Sequence, residues 1–179
     1  MPSKTEFVPF VLWLTGLSGS GKSSLSVMLK RDLIKKKLHK VKIIDGDSFR
    51  KKYPKYGYNL IDREKIGYIK VREAIKFYKR GYICIVSGIA HKKIWREKIR
   101  KKFKKVNYSE IYLKCTLKKC ISRKNFIYRN KIKNVVGISG KNYEYEESKK
   151  YELLINTAKN KKLKCLSILN KYLKKRYGK

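Results

Sequence analysis

An apolar run from Val8 to Leu14 breaks into Gly16-Leu-Ser-Gly-Ser-Gly21-Lys22-Ser23, and a segment with helical apolar spacing begins at Leu25. Few folds satisfy that order: a buried strand ends, the backbone turns tightly on glycines, and a helix starts at once. Such a loop points its N–H groups inward at the positive end of a helix, which makes a cradle for phosphate. Gly16, Ser18, Gly19, Ser20 and Gly21 are then expected to wrap the anion together with Ser24. Lys22 would reach the terminal phosphates, and the Ser23 hydroxyl would hold Mg²⁺. Nucleoside triphosphate is the ligand this pattern implies. The alternative is an incidental Gly/Ser loop, and the buried-looking strand before it argues against that.

Beyond the loop, strand-like runs recur at Val8 to Leu14, Val41 to Ile44, Tyr82 to Val86, Ile111 to Lys114 and Leu153 to Ile155. Helical patterns lie between most of them, which predicts an α/β fold with a five-stranded parallel sheet covered by helices on both faces. Leu25, Met28, Leu29 and Leu33 share one helical face, as do Val71, Ala74, Ile75 and Tyr78, and later Leu166, Leu169 and Leu173; these stripes are expected core. The 179 residues fit one domain, 1–179, because a division would leave two small halves. Residues 123–150 lack clear periodicity and mix Lys, Asn, Gly and Tyr, the composition of a lid.

Charge is the unusual part of the composition: 49 Lys and Arg against 13 Asp and Glu, a net +36. One reading is a surface that collects polyanions, nucleic acid included, without sequence preference. The other is a bias toward Lys, Ile, Tyr and Asn, although that alone leaves the scarcity of Glu unexplained. Cys84, Cys115, Cys120 and Cys165 form no close Cys-x-x-Cys pair and stand in apolar contexts, as core thiols of a reducing cytoplasm do. Phe7 to Leu14 is too short for a bilayer and carries Pro9, so neither a membrane helix nor a signal peptide is expected.

After the second strand comes Asp45-Gly46-Asp47-Ser48-Phe49-Arg50, at a strand's carboxyl end where ligands of open α/β sheets bind. Two carboxylates there can steer Mg²⁺ and accept a proton from an attacking hydroxyl, while Arg50 clamps a substrate anion. An Asp-Gly pair can also be a plain turn, with Asp47 as a helix N-cap.

These residues together are similar to the adenylylsulfate kinase family of P-loop NTPases with the nucleotide-kinase fold. The resemblance runs from Trp13 through the glycine loop to Ile44-Asp45-Gly46-Asp47 and Arg50, and through Tyr56-Gly57-Tyr58-Asn59 and Asp62-Arg63. It continues at Cys120-Ile-Ser-Arg123, Asn134-Val-Val-Gly137-Ile138 and Tyr145-Glu146-Glu147. It implies transfer of the γ-phosphoryl group of ATP to the 3′-hydroxyl of adenosine 5′-phosphosulfate, a step of sulfate assimilation. By the same resemblance, Asp47 is the base, with Asp45 beside it on the Mg²⁺ side. Arg50 and Arg63 grip the phosphosulfate, with Tyr58 and Ile89 against the nucleotide. Arg123 packs on the ATP adenine and Lys124 stands for the lid lysine. A homodimer is compatible with the family.

The departures gather on the acceptor side. Ile66 stands where the family usually carries Asn, and the basic pair that follows in the family falls at Gly67 to Ile69. Ala90-His91 replaces Ser-Pro, and Val135 replaces the lid aromatic. His91 reads as a surface or loop residue. These losses keep a second acceptor open, another nucleotide with an anionic 5′ group such as cytidine diphosphoramidate. A polynucleotide kinase is the reading that charge alone suggests, with no RNA-binding motif to support it.

Overall fold

The computed structural model describes residues 7–123, 139–141 and 143–178. Five parallel strands form one sheet: β1 (Val11–Thr15), β2 (Val41–Ile44), β3 (Ile83–Ser87), β4 (Tyr108–Lys114) and β5 (Leu153–Asn156). Their spatial order is β2-β3-β1-β4-β5, with Leu12 beside Ile85 on one flank and Ser109 on the other. The helices are α1 (Lys22–Lys35), α2 (Gly46–Lys52), α3 (Leu60–Lys79), α4 (Lys93–Lys102), α5 (Leu117–Arg123) and α6 (Lys162–Tyr177).

Alternate residues of the buried strands feed two separate cores, because successive strand side chains point to opposite faces. Leu12, Leu14, Ile85, Ile111 and Leu113 meet Leu25, Leu29 and Leu33 of α1 and Leu169 and Leu173 of α6. On the other face Val11, Trp13, Cys84 and Val86 meet Phe49 of α2, Ile66, Val71 and Ala74 of α3, and Ile99 and Phe103 from α4 and its C-terminal cap. Of the expected stripes, Met28 is half-buried and turns to the cavity described below; the others pack as read. All four cysteines are buried and free.

Two strands start three residues away from the sequence reading, and the other three agree with it to within one residue at each end. The first starts at Val11, not Val8, since Val8 donates its N–H to the Tyr177 carbonyl and Phe7 bridges Gly178. Phe10 stacks on Tyr177 at 4.4 Å, so the lead-in is tied to the C-terminal helix. The fourth begins at Tyr108, three residues early, because Ser109 and Glu110 break the apolar pattern yet are buried. Burial is tolerated because both are partnered. Ser109 Oγ meets the Tyr172 and Tyr177 hydroxyls, and the Glu110 carboxylate accepts from Ser148 beside Arg96 and Arg100. Among the described residues no helix is long and apolar enough to cross a membrane.

Candidate active site

The β1-to-α1 turn carries the glycine loop at the carboxyl end of the sheet. Gly16 has φ +141 and Gly19 φ +83, in the region where side chains are strained. A Cβ on Gly16 would lie 2.6 Å from the Leu113 carbonyl oxygen, and one on Gly19 2.7 Å from that of Cys120, so the loop is pressed against β4 and α5. Thr157 Oγ1 donates to the Ser20 carbonyl at 2.9 Å and closes the loop from the β5 side. Lys22 Nζ curls over the loop and donates to the carbonyls of Gly16 (2.9 Å) and Leu17 (2.7 Å).

One turn into α1, the Ser23 hydroxyl donates to Asp45 Oδ1 at 2.9 Å. Asp45 occupies the N-cap position of α2 without capping it; its side chain reaches instead across to the phosphate loop. Two hard oxygen donors from separate motifs are thus already joined, a pair suited to Mg²⁺, which takes few protein oxygens and completes its shell with water and phosphate. Asp47 stands in the first turn of α2, with its side chain outside the described set.

The third cluster is built by the N-terminus of α3. The Asn59 side chain accepts from the Asp62 N–H at 2.8 Å, and Asp62 Oδ2 accepts from Asn59 Nδ2 and from the Gly57 N–H. This cap makes Asp62 structural and orients the next residue, Arg63. Arg63 donates through Nε to the Tyr58 carbonyl and through Nη1 to Ser139 Oγ at 3.3 Å. Arg50 donates to the carbonyl of Gly57 and lies 4.3 Å over the Tyr58 ring. Burial first, then the Arg50 charge, lowers the Arg63 pKa. Two guanidinium groups held this close are a fork for an anion.

His91 is the correction on this side: it lies in a loop as read, but it is 1% exposed. Its carbonyl accepts from the Glu146 N–H, and its ring lies edge-on to Trp95 at 4.7 Å and along Tyr143 at 6.0 Å. Burial, with the charges of Arg63 and Lys92 beside it, pushes its pKa down to about 4. Arg96 fastens the same loop, donating to the Ala90 and Glu146 carbonyls at 2.6 Å each.

A cavity of about 1180 Å³ joins these parts. Residues 18–24 of the glycine loop, Asp45, Arg50, Tyr58, Arg63 and Ile89 all line it, as does Arg123, whose Nη2 donates to the Thr157 carbonyl at 2.7 Å. Gly16 lies behind the loop, outside that lining. Lys124 and Val135 lie outside the described residues. Sequence reading missed the wall built by Asn160 to Cys165 at the start of α6, and Lys70 and Trp95 on the opposite side. No local motif marks them; only the closure of the sheet brings them there.

A parallel sheet with a glycine loop after its central strand, a serine–aspartate pair and an arginine cluster in one cavity defines a P-loop kinase. The adenylylsulphate kinase family matches residues 8–156, and the chain belongs to that family. A probable adenylyl-sulfate kinase of Archaeoglobus fulgidus is 34% identical over 157 residues, covering 84% of this chain and 97% of that protein. An adenylyl-sulfate kinase of Thermodesulfovibrio yellowstonii is 33% identical, covering 92% and 84%. In fold, the chain is similar to the APS kinase of Mycobacterium tuberculosis in complex with AMPPNP and APS, with TM-score 0.79, 22% identity, and 92% and 98% coverage.

Proposed function

We propose that this protein transfers the γ-phosphoryl group of ATP to the 3′-hydroxyl of adenosine 5′-phosphosulfate. The observation that carries the reading is the Ser23–Asp45 hydrogen bond, which stands between the Lys22 loop and the Arg50–Tyr58–Arg63 cluster within one cavity. The family match over residues 8–156 supports the acceptor.

On this reading the loop N–H groups and Lys22 hold the β- and γ-phosphates and stabilise the charge that spreads over the transferred group. Ser23 and Asp45 would hold Mg²⁺, which neutralises charge on the phosphates when bound. Asp47 takes the proton of the acceptor hydroxyl as its oxygen bonds to the γ-phosphorus, and the bond to the bridging oxygen breaks to release ADP. Arg50 and Arg63 fix the 5′-phosphosulfate, Tyr58 and Ile89 bound the acceptor nucleoside, Arg123 packs on the ATP adenine, and Lys124 is the lid cation. The lid role of 123–150 stays with the family resemblance, since residues 124–138 and 142 lie outside the described residues; such a lid would keep water from the ATP.

The test is steady-state turnover with ATP·Mg²⁺ and adenosine phosphosulfate, following ADP and the 3′-phosphorylated product together. One ADP per product is expected. Turnover only with a cytidine diphosphate derivative or an RNA 5′-hydroxyl end would overturn the acceptor assignment.

A further inference from the structure

One face of α3 runs along the cavity. Arg63, Ile66, Gly67 and Lys70 follow at three- and four-residue spacing and all line it. Ile66 is 3% exposed and apolar, yet one turn further Lys70 is a cation only 5% exposed. A buried ammonium is costly unless hydrogen-bonded and paired, so its position needs a cause. Nζ donates to the Ser87 carbonyl, at the carboxyl end of β3, at 2.9 Å. A Cβ on Gly46 would stand 3.5 Å from it. The charge therefore sits between the end of β3 and the Asp45-Gly46-Asp47 turn.

Ser87 has a second link. Its Oγ lies 3.0 Å from Ser26 Oγ, which donates to the Lys22 carbonyl. One residue thus ties the Lys70 ammonium to the helix that carries the phosphate loop. Side chains on a helix lean toward its N-terminus, so a lysine at 70 can present its ammonium near the level of residue 66.

We propose that Lys70 is a positioning residue of the acceptor half of the site, holding the Asp45-Gly46-Asp47 turn against the end of β3 and supplying the polar group that position 66 lacks. This rests on the kinase reading above. It also changes the meaning of Ile66: the polar wall is moved one helical turn, not lost. Lys70 and Ile66 are separate from the arginines that grip the acceptor's anion.

The experiment compares wild type, Lys70→Ile, Lys70→Arg, and Lys70→Ile combined with Ile66→Asn, each with a thermal melt. Lys70→Ile should lower kcat on adenosine phosphosulfate by ~10-fold or more, with the KM for ATP within about two-fold. Its Tm should fall, since the buried Ser87 carbonyl loses its donor, and the melt reports whether the fold is kept. Lys70→Arg and the double variant should each recover several-fold of the lost rate. Should Lys70→Ile not fold, Lys70→Gln carries the same test, because its amide can still donate to the Ser87 carbonyl without the charge. A folded variant with wild-type kcat and acceptor KM overturns the proposal. So does a rate loss matched by a rise in the ATP KM and not recovered by Ile66→Asn, which marks a role in the fold alone. Wild type inactive on adenosine phosphosulfate refutes the kinase reading itself, and this proposal with it.

Discussion

Lowering the pH should destabilise this protein through a single buried imidazole. His91 is 1% exposed, its Nε2 has no hydrogen-bond partner among the described residues, and its pKa is pushed down to about 4 from the ordinary 6.5, by burial first and then by Arg63 and Lys92. The unfolded chain takes up this proton near pH 6.5, while the folded chain resists it until about pH 4. Protonation therefore favours unfolding: stability is full above pH 6.5, falls as pH drops through that window, and levels off below 4. At pH 5 the two titrations differ by about 2 kcal/mol, and about 1 kcal/mol is the working figure because the ring borders the open cavity. His91→Met removes this proton and leaves the rest of the charge in place. The assay is urea unfolding of both proteins at pH 7.5 and pH 5, and the quantity read is the change in their difference. Carboxylates titrate in both proteins and cancel. Glu146, beside His91, has its pKa lowered from the ordinary 4.5 by the Lys93 N–H and Lys92, so its own loss sets in below the lower pH of the assay. Parallel stability curves for the two proteins between pH 7.5 and 5 would show that water reaches the imidazole and that the burial argument fails.

Three further outcomes are expected. Lys22→Ala should keep the fold, as judged by its melt, and lose ~10²-fold or more in kcat, because its charge acts on the transferred group; a folded variant with near-normal kcat refutes the phosphate-loop role. Asp47→Asn should lower kcat by ~10²-fold with ATP affinity kept, measured by calorimetry beside turnover; if Asp45→Asn alone loses rate, the two carboxylates exchange roles. Arg50→Ala and Arg63→Ala should raise the acceptor KM by ~10-fold or more and leave the ATP Kd within a few-fold, since a guanidinium fork on an anion is a charge-assisted bond; a loss seen chiefly in ATP binding overturns their assignment.

What could be read from the chain follows from how local each feature is. The glycine loop, the Asp45-Gly46-Asp47 turn and the apolar stripes of α1 and α6 are written within a few residues, and the sheet brings them together as the alternation of elements predicts. Ser109 and Glu110 fall outside the apolar run that starts at Ile111, because the partners that let them be buried, Tyr177 and Arg96, are remote in sequence. His91 misled for the same reason. A histidine followed by two lysines in a loop looks like surface until Trp95, Tyr143 and the Glu146 N–H are seen to close over it.

The acceptor wall shows why position-by-position comparison understates what a site retains. Ile66, taken alone, removes a polar group from the face of α3 that carries Arg63, and it is one of the departures, with Gly67 to Ile69, Ala90-His91 and Val135, that keep a second acceptor open in the sequence. The same face places a second polar group at the next turn, where the Ser87 carbonyl holds it within reach of the Gly46 turn. A helix wall is specified by a stripe of residues, since positions i and i+4 lie one above the other and long side chains reach back toward the N-terminus. Substitutions within such a stripe should be judged by the atoms they bring to the cavity. Judged so, the exchange of an amide at 66 for an ammonium at 70 alters the chemistry of the wall without making it apolar, and adenosine phosphosulfate remains the acceptor that its surroundings favour.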